Sequence, residues 1–283
     1  MSDIQDRSYD LRSRGGLIFR EEDHSYHNAA GEKYFSTTGL LGDFKNKFDA
    51  DGMSKYKAIK DVLTTEQLKQ LKTKAGHWQK VAGQFWPALM QREEFKDPLL
   101  EVQQKYLDSW AKSGEVASCA GSLEHGKRES HLDDTGFYEW NGIKYEQSDK
   151  CILDIDDFDQ CIISEILLWN HEIKLGGLAD LMIFDYGKIH VLDYKTNKAI
   201  VKIGFMNKKM KRFLDHIPDA SFYHYALQLK IYQKMACDLT GLEPGECWLI
   251  STKNDNYGRK EDVFIQCDDL IVEVNLLFNN CLK

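Results

Sequence analysis

The sequence predicts an α/β chain with a largely helical N-terminal region, and three observations carry that prediction. Two apolar runs, Leu178 to Phe184 and Ile189 to Tyr194, flank Asp185-Tyr186-Gly187, the kind of residues that turn a β-hairpin. From about Ala50 to Ala111 the apolar residues recur instead at spacings of three and four, the signature of helices. After the hairpin comes an amphipathic helix from about Ser221 to Cys237. Two further strands (Glu246 to Ser251, Asp262 to Cys267) and a closing helix (Leu270 to Phe278) follow.

The first folded stretch, residues 17 to 41, reads as short strands with a turn at Asn28-Ala29-Ala30-Gly31. Its His24 and His27 read as surface residues rather than a metal pair, because a spacing of three puts them on opposite faces of a strand. In the helical region, Thr64-Thr65-Glu66-Gln67 offers an N-cap with Gln67 near the capping-box position, while Pro87 and Pro98 are expected to limit individual helices. Ala117 to Glu129 reads as a small-residue turn followed by a helical run. Strands are expected between Tyr138 and Leu168. The acidic loop Asp154 to Asp159 between them lacks the remaining positions of a calcium loop and is read as solvated.

At 283 residues and 42% hydrophobic, the chain can bury one large core, or a core with a smaller appended region. Aromatics at 12% and four prolines argue against disorder. No apolar run reaches the eighteen or so residues of a membrane span, and the polar start MSDIQDRSYDLRSR lacks the apolar segment of a signal peptide. A soluble, cytoplasmic protein without a membrane partner is the expectation. Seven widely spaced cysteines without a Cys-x-x-Cys pair read as reduced thiols. The net charge of −8 argues against a globally basic nucleic-acid binder, yet Lys195, Lys198, Lys202, Lys208, Lys209, Lys211 and Arg212 follow one another with no acid among them. Screening confines the relevant field to about 8 to 10 Å, so such a strip can track a phosphate backbone on an acidic protein.

The hairpin is where chemistry is expected. Each of its strands carries one aspartate where a buried strand would prefer Val or Ile. Asp193 and Lys195 share one face, and a two-residue loop of Tyr186-Gly187 puts Asp180 directly opposite Asp193. Opposed Cβ atoms lie about 5 Å apart, so the two carboxylates repel unless a cation sits between them. Hard oxygen ligands favour Mg²⁺ or Mn²⁺. Such an ion polarises a phosphoryl oxygen and lowers the pKa of bound water, which the lysine can position or activate.

The pattern Gly177-x-x-Asp180, twelve residues, then Asp193-x-Lys195 resembles the core of the PD-(D/E)XK nuclease superfamily. Three more elements resemble its RecB-like exonuclease branch, which includes phage and mitochondrial exonucleases: Gly121/His125/Glu129 on a helix, Glu165 one strand before the core, and Gln228-x-x-x-Tyr232 on the following helix. The resemblance implies a restriction-endonuclease-like central mixed sheet flanked by helices over residues 116–283. Residues 1–115 would form an N-terminal hairpin and helical region packed on that core. It further implies metal ligation by His125, Asp180, Asp193 and the carbonyl of Tyr194, with Lys195 aligning or deprotonating the attacking water. Glu165 and Gln228 would assist catalysis, and Lys198, Lys202, Lys208, Lys209, Lys211, Arg212 and Tyr232 would contact nucleic acid. The activity implied is DNA phosphodiester hydrolysis, as an exonuclease in replication, recombination or repair, in a phage or a cell. Some relatives hold an iron–sulfur cluster through closely spaced C-terminal cysteines; no such set occurs here, and no cluster is expected. The rival reading is a non-catalytic nucleic-acid-binding or interaction protein on the same fold, whose signature would be loss of a carboxylate or the lysine.

Overall fold

The structure, a computed structural model, describes residues 16–20, 22–75, 78–197, 199–254 and 260–280. Two compact units emerge, one made of Met1–Asn46 with Gly121–Lys283 and the other of Lys47–Ala120. In chain order the elements are β1 (Ile18–Arg20), β2 (Ser25–His27), β3 (Lys33–Ser36), α1 (Thr37–Gly42), α2 (Ala50–Val62), α3 (Thr65–Ala75), α4 (Trp78–Leu89) and α5 (Glu93–Thr135). They continue with β4 (Phe137–Trp140), β5 (Ile143–Gln147), β6 (Gln160–Asn170), β7 (Leu175–Asp185), β8 (Lys188–Lys195), α6 (Ser221–Thr240), β9 (Glu243–Asn254), β10 (Lys260–Gln266) and α7 (Ile271–Asn280).

The helical unit forms where the sequence periodicity places it. Asp49 caps α2 by accepting from the Gly52 amide at 2.8 Å. Thr64 and Gln67 form the reciprocal capping box of α3, each side chain accepting from the other's amide at 3.3 and 2.9 Å. Ala58, Ile59, Leu63, Leu89 and Leu99 make its core. Two expectations fail here. Pro98 does not end a helix: it is the sixth residue of α5, early enough that little of the helix precedes the hydrogen bond its missing N–H removes. Nor is there a turn at Ala117 to Gly121, where alanines keep α5 unbroken through its glycines.

The other unit is a curled mixed sheet of ten strands flanked by helices, as the fold class required. Its hydrogen-bonded order runs β4-β5-β6-β7-β8-β9-β10, and β3-β2-β1 joins the start of β7 through the parallel pair Phe35↔Leu175 and Ser36↔Gly176. The β6–β7, β7–β8 and β9–β10 pairs are antiparallel, while β5–β6 and β8–β9 are parallel. Tyr186 and Gly187 have φ of 46° and 83°, and Asp185 pairs with Lys188. This is the two-residue turn with both central residues left-handed, whose twist matches that of the strands, and glycine adopts it without a Cβ penalty.

Strand alternation splits the core in two. Met182, Phe184, Ile189 and Val191 face α6 and α7 and pack on Phe222, Ala226, Leu229 and Met235. Leu181, Ile183, Leu192 and Tyr194 face the other way, with Tyr145, Ile162, Ile250 and one residue of α5, Leu132. Among the described residues no helix is long and apolar enough to cross a membrane.

Candidate active site

The hairpin pairing runs from Asp185↔Lys188 to Leu181↔Leu192, and Asp180 and Asp193 are the next residues beyond it, at the open end of β7 and β8. On the other side of β7, Ser164↔Leu181 and Ile166↔Ala179 set Glu165 across from Asp180. Glu165 is held at φ 47°, a left-handed conformation that costs a non-glycine residue about 1 to 3 kcal/mol. Its carboxylate, that of Asp180 and the imidazole of His125 offer donor atoms within 4.8 Å of one another. His125 Nδ1 lies 3.3 Å from Asp180 Oδ2, and its Nε2 lies 3.1 Å from the carbonyl oxygen of Tyr194. The Tyr194 amide donates to Asp180 Oδ2 at 3.0 Å. A cavity of about 10 Å³, room for one water-sized species, opens beside them.

Asp193 sits at the edge of this group rather than within it. It is 2% exposed, and its Oδ2 is held in an ion pair by the Lys195 ammonium. Burial and the negative charge of Asp193 push the Asp180 carboxyl up to about 6, against the opposing pull of His125, Lys195 and the Tyr194 amide. For Lys195 burial works against the ammonium, but Asp193 and Asp180 outweigh it and hold the group above the usual lysine range. Lys195 therefore carries its proton in this arrangement and presents positive charge rather than a base. The carboxylates of Glu165 and Asp180, together with an imidazole and a backbone carbonyl, make a donor set that fits a hard divalent cation.

Helix α6 supports the hairpin from below through Tyr225, Gln228 and Tyr232, which share one helical face by their spacing of three and four. The Lys195 ammonium lies 4.7 Å from the centre of the Tyr225 ring, whose hydroxyl donates to Asn197 at 2.9 Å. Gln228 donates to the Tyr232 hydroxyl at 3.0 Å. Tyr232 is 3% exposed and cannot stack on a base. Its ring fills the space that a side chain at Gly177 would need, since a Cβ there would stand 2.3 Å from Tyr232 Cε1. Gly177 thus belongs to the site through packing, leaving the slot that lets α6 close on β7.

Arg128, absent from the sequence-based set, fastens α5 to the far edge of the sheet. It makes a two-pronged ion pair with Asp262 at 2.7 and 2.6 Å, donates to Thr252 at 2.7 Å and lies 4.4 Å over the Tyr194 ring. Its only sequence signal was its place one turn after His125. Lys45, also missed, is half-buried; burial lowers it, Asp219 raises it, and the nearby positive charge of Lys195 lowers it again. Of the expected basic strip, Lys198 lies outside the described residues. Lys202 is paired with Asp268 at 3.0 Å, Lys209 donates to the His216 carbonyl at 3.2 Å, and Arg212 and Lys211 are exposed. Gly121 approaches Thr196 no closer than 3.7 Å from an added Cβ, so close backbone approach does not require a glycine there.

No protein-family model matches the chain, and no curated protein does. Among solved structures, one similar chain is the protein SSO0001, at 15% identity and a TM-score of 0.27; the match spans 65% of this chain and 63% of that one, under two thirds of its length. A second is a protein of Eubacterium rectale named "Putative exonuclease", at 9% identity and a TM-score of 0.30, over 87% of this chain and 78% of that one. With TM-scores this far below 0.5, these are weak structural neighbours and carry no argument about what this chain does.

Proposed function

We propose that this chain is a metal-dependent deoxyribonuclease that hydrolyses phosphodiester bonds, with exonuclease action in replication, recombination or repair as its finer form. The observation that carries this reading is the donor cluster of His125, Glu165 and Asp180 beside the Asp193–Lys195 pair, with an Asp180 carboxyl raised by burial and by the negative charge of Asp193. His125, Glu165, Asp180, Asp193 and the Tyr194 carbonyl would hold one or two Mg²⁺ or Mn²⁺ ions. Bound there, the metal supplies charge for the phosphoryl oxygens and acidity for a water.

This chain's own residues do the rest. Lys195, carrying its proton and braced by the Tyr225 ring, holds positive charge where the phosphate oxygens gather negative charge. Gln228 is tied to Tyr232 and so steadies the strand above it. Arg128 fixes the Tyr194 ring and with it the backbone segment whose carbonyl faces His125. Lys45 adds a second positive group whose field reaches Lys195. Lys208, Lys211 and Arg212 carry the strand away over the surface that follows β8.

The test is cleavage of end-labelled and circular DNA with Mg²⁺, Mn²⁺ or EDTA, alongside gel-shift binding in EDTA. Metal-dependent loss of label is expected, with circles spared if the enzyme needs an end. DNA that binds but survives in both metals would sink the reading in favour of a binding protein.

A further inference from the structure

A second cavity, of about 340 Å³, lies on the other side of Arg128 and Tyr194 from the donor cluster, and these two residues line both. It exists because the sheet curls: β4 and β10 are the two ends of the hydrogen-bonded order, yet Phe137, Tyr138 and Glu139 of one and Asp262 and Phe264 of the other line the same space, with α5 along its side. Its volume is at the small end of the range for ligand sites. Its rings are not used up by the core, since Phe264 is 42% exposed and Phe137 and Tyr138 are half-buried.

The charges decide what kind of ligand fits. The Arg128 guanidinium is satisfied by both oxygens of Asp262, and Glu139 is an exposed carboxylate on the rim, so the cavity is a poor seat for a phosphate. Tyr138, on the cavity wall, adds a hydroxyl that can donate or accept a hydrogen bond. Flat aromatic walls, a neutralised guanidinium and a few polar groups suit a flat, neutral heterocycle with hydrogen-bonding edges. Aromatic rings in such a place stack on bases with little regard to sequence.

We infer that this cavity is a nucleobase subsite, holding a base of the strand whose phosphate is presented to His125, Glu165 and Asp180. The inference rests on the nuclease reading, because a phosphate at the donor cluster places the neighbouring base within reach of the shared Arg128–Tyr194 wall. The ring that matters most is Phe264, which lies on an edge strand and outside the residues proposed to hold metal or position the phosphate.

The experiment uses a single-stranded trinucleotide with a central 2-aminopurine, titrated with the full chain in EDTA so that nothing is cleaved. Its fluorescence should quench on binding. Phe264→Ala should weaken that binding about tenfold, within what one base–aromatic stack contributes. Phe264→Trp should restore it, and Phe158→Ala, at a ring that is 85% exposed in the 156–159 loop, should leave it unchanged. Equal binding by wild type and Phe264→Ala, or no quenching at all, overturns the subsite. Cleavage assays keep the two readings apart. If the trinucleotide binds through Phe264 but no metal gives cleavage, the nuclease reading falls and the base site stands. If DNA is cut but removing single bases along the strand never slows cutting, the base site falls alone.

Discussion

Helices α5 and α6 pack on opposite faces of the same two strands, β7 and β8, and they do so by different means. Helix α6 buries nine side chains, among them Leu227, Leu229 and Met235 with no exposure at all. Helix α5, more than twice as long, gives the second core only Leu132 and reaches the sheet instead through His125 and Arg128. Apolar packing is non-directional and sums over many contacts, so it suits the helix that holds the fold. Directional polar contacts fix a few atoms closely, so they suit the helix that carries a donor.

The contrast is broken most sharply at the carboxylates. Asp193→Asn or Asp180→Asn should lower metal-dependent DNA cleavage by ~10² to 10³-fold or more, the effect of removing one well-placed electrostatic group. The fold should survive, and for Asp180 it should gain. The folded chain holds the Asp180 proton up to about pH 6, whereas the unfolded chain releases it near 3.8. Between those values the folded state binds more protons, so stability falls as pH rises. Metal-free Asp180→Asn should therefore melt higher than wild type at pH 7.5, with the advantage gone by pH 4. Identical melting curves at both pH values would mean that Asp180 is not strained by its surroundings.

Next in size is the difference in packing. Leu227→Ala on α6 should cost about 2 to 5 kcal/mol in urea unfolding, through lost burial and the cavity left behind. Leu123→Ala on α5, at a side chain 61% exposed, should stay within about 0.5 kcal/mol. If the two changes cost the same, the division of labour between the helices does not hold.

The smallest effects separate the two motif glycines. Gly177→Ala drives a methyl into the Tyr232 ring and should cost about 1 to 3 kcal/mol, partly recovered when Tyr232 is also cut back to Leu. Gly121→Ala meets Thr196 Oγ1 at an ordinary contact distance of 3.7 Å in a helix interior and should stabilise by up to about 1 kcal/mol with activity unchanged. A loss of activity from Gly121→Ala, with melting unchanged, would show a need for the glycine that packing does not explain.

What the sequence disclosed of this site follows from which signals are local. The two-residue turn and the register down to Leu181↔Leu192, which brings Asp180 and Asp193 to the same end of the hairpin, were legible because strand period and turn length are both written within twenty residues. Gln228 and Tyr232 could be aligned by helical spacing, whereas Tyr225 beside Lys195 was missed. Spacing does not say which end of a side chain is buried, so Tyr232 read as a nucleic-acid contact when it is a buried ring filling the space beside Gly177. The Arg128–Asp262 pair joins residues 134 positions apart, and no pattern in one sequence announces such a contact. The unbroken run of α5 through Ala117 to Gly121 was misread because small residues signal a turn only when neighbouring positions do not favour helix. The left-handed backbone at Glu165 was invisible too, since nothing about a glutamate in an apolar strand asks for it.

That backbone has a consequence for selection. A residue held where glycine would rest without strain keeps the chain below the stability it could reach, and under the nuclease reading proposed above the place of this carboxylate among the metal ligands is what offsets the shortfall. Random mutagenesis followed by a heat challenge would enrich Glu165→Gly for the same reason that a screen for turnover would discard it. Thermal survivors and active clones would then part company at a single codon.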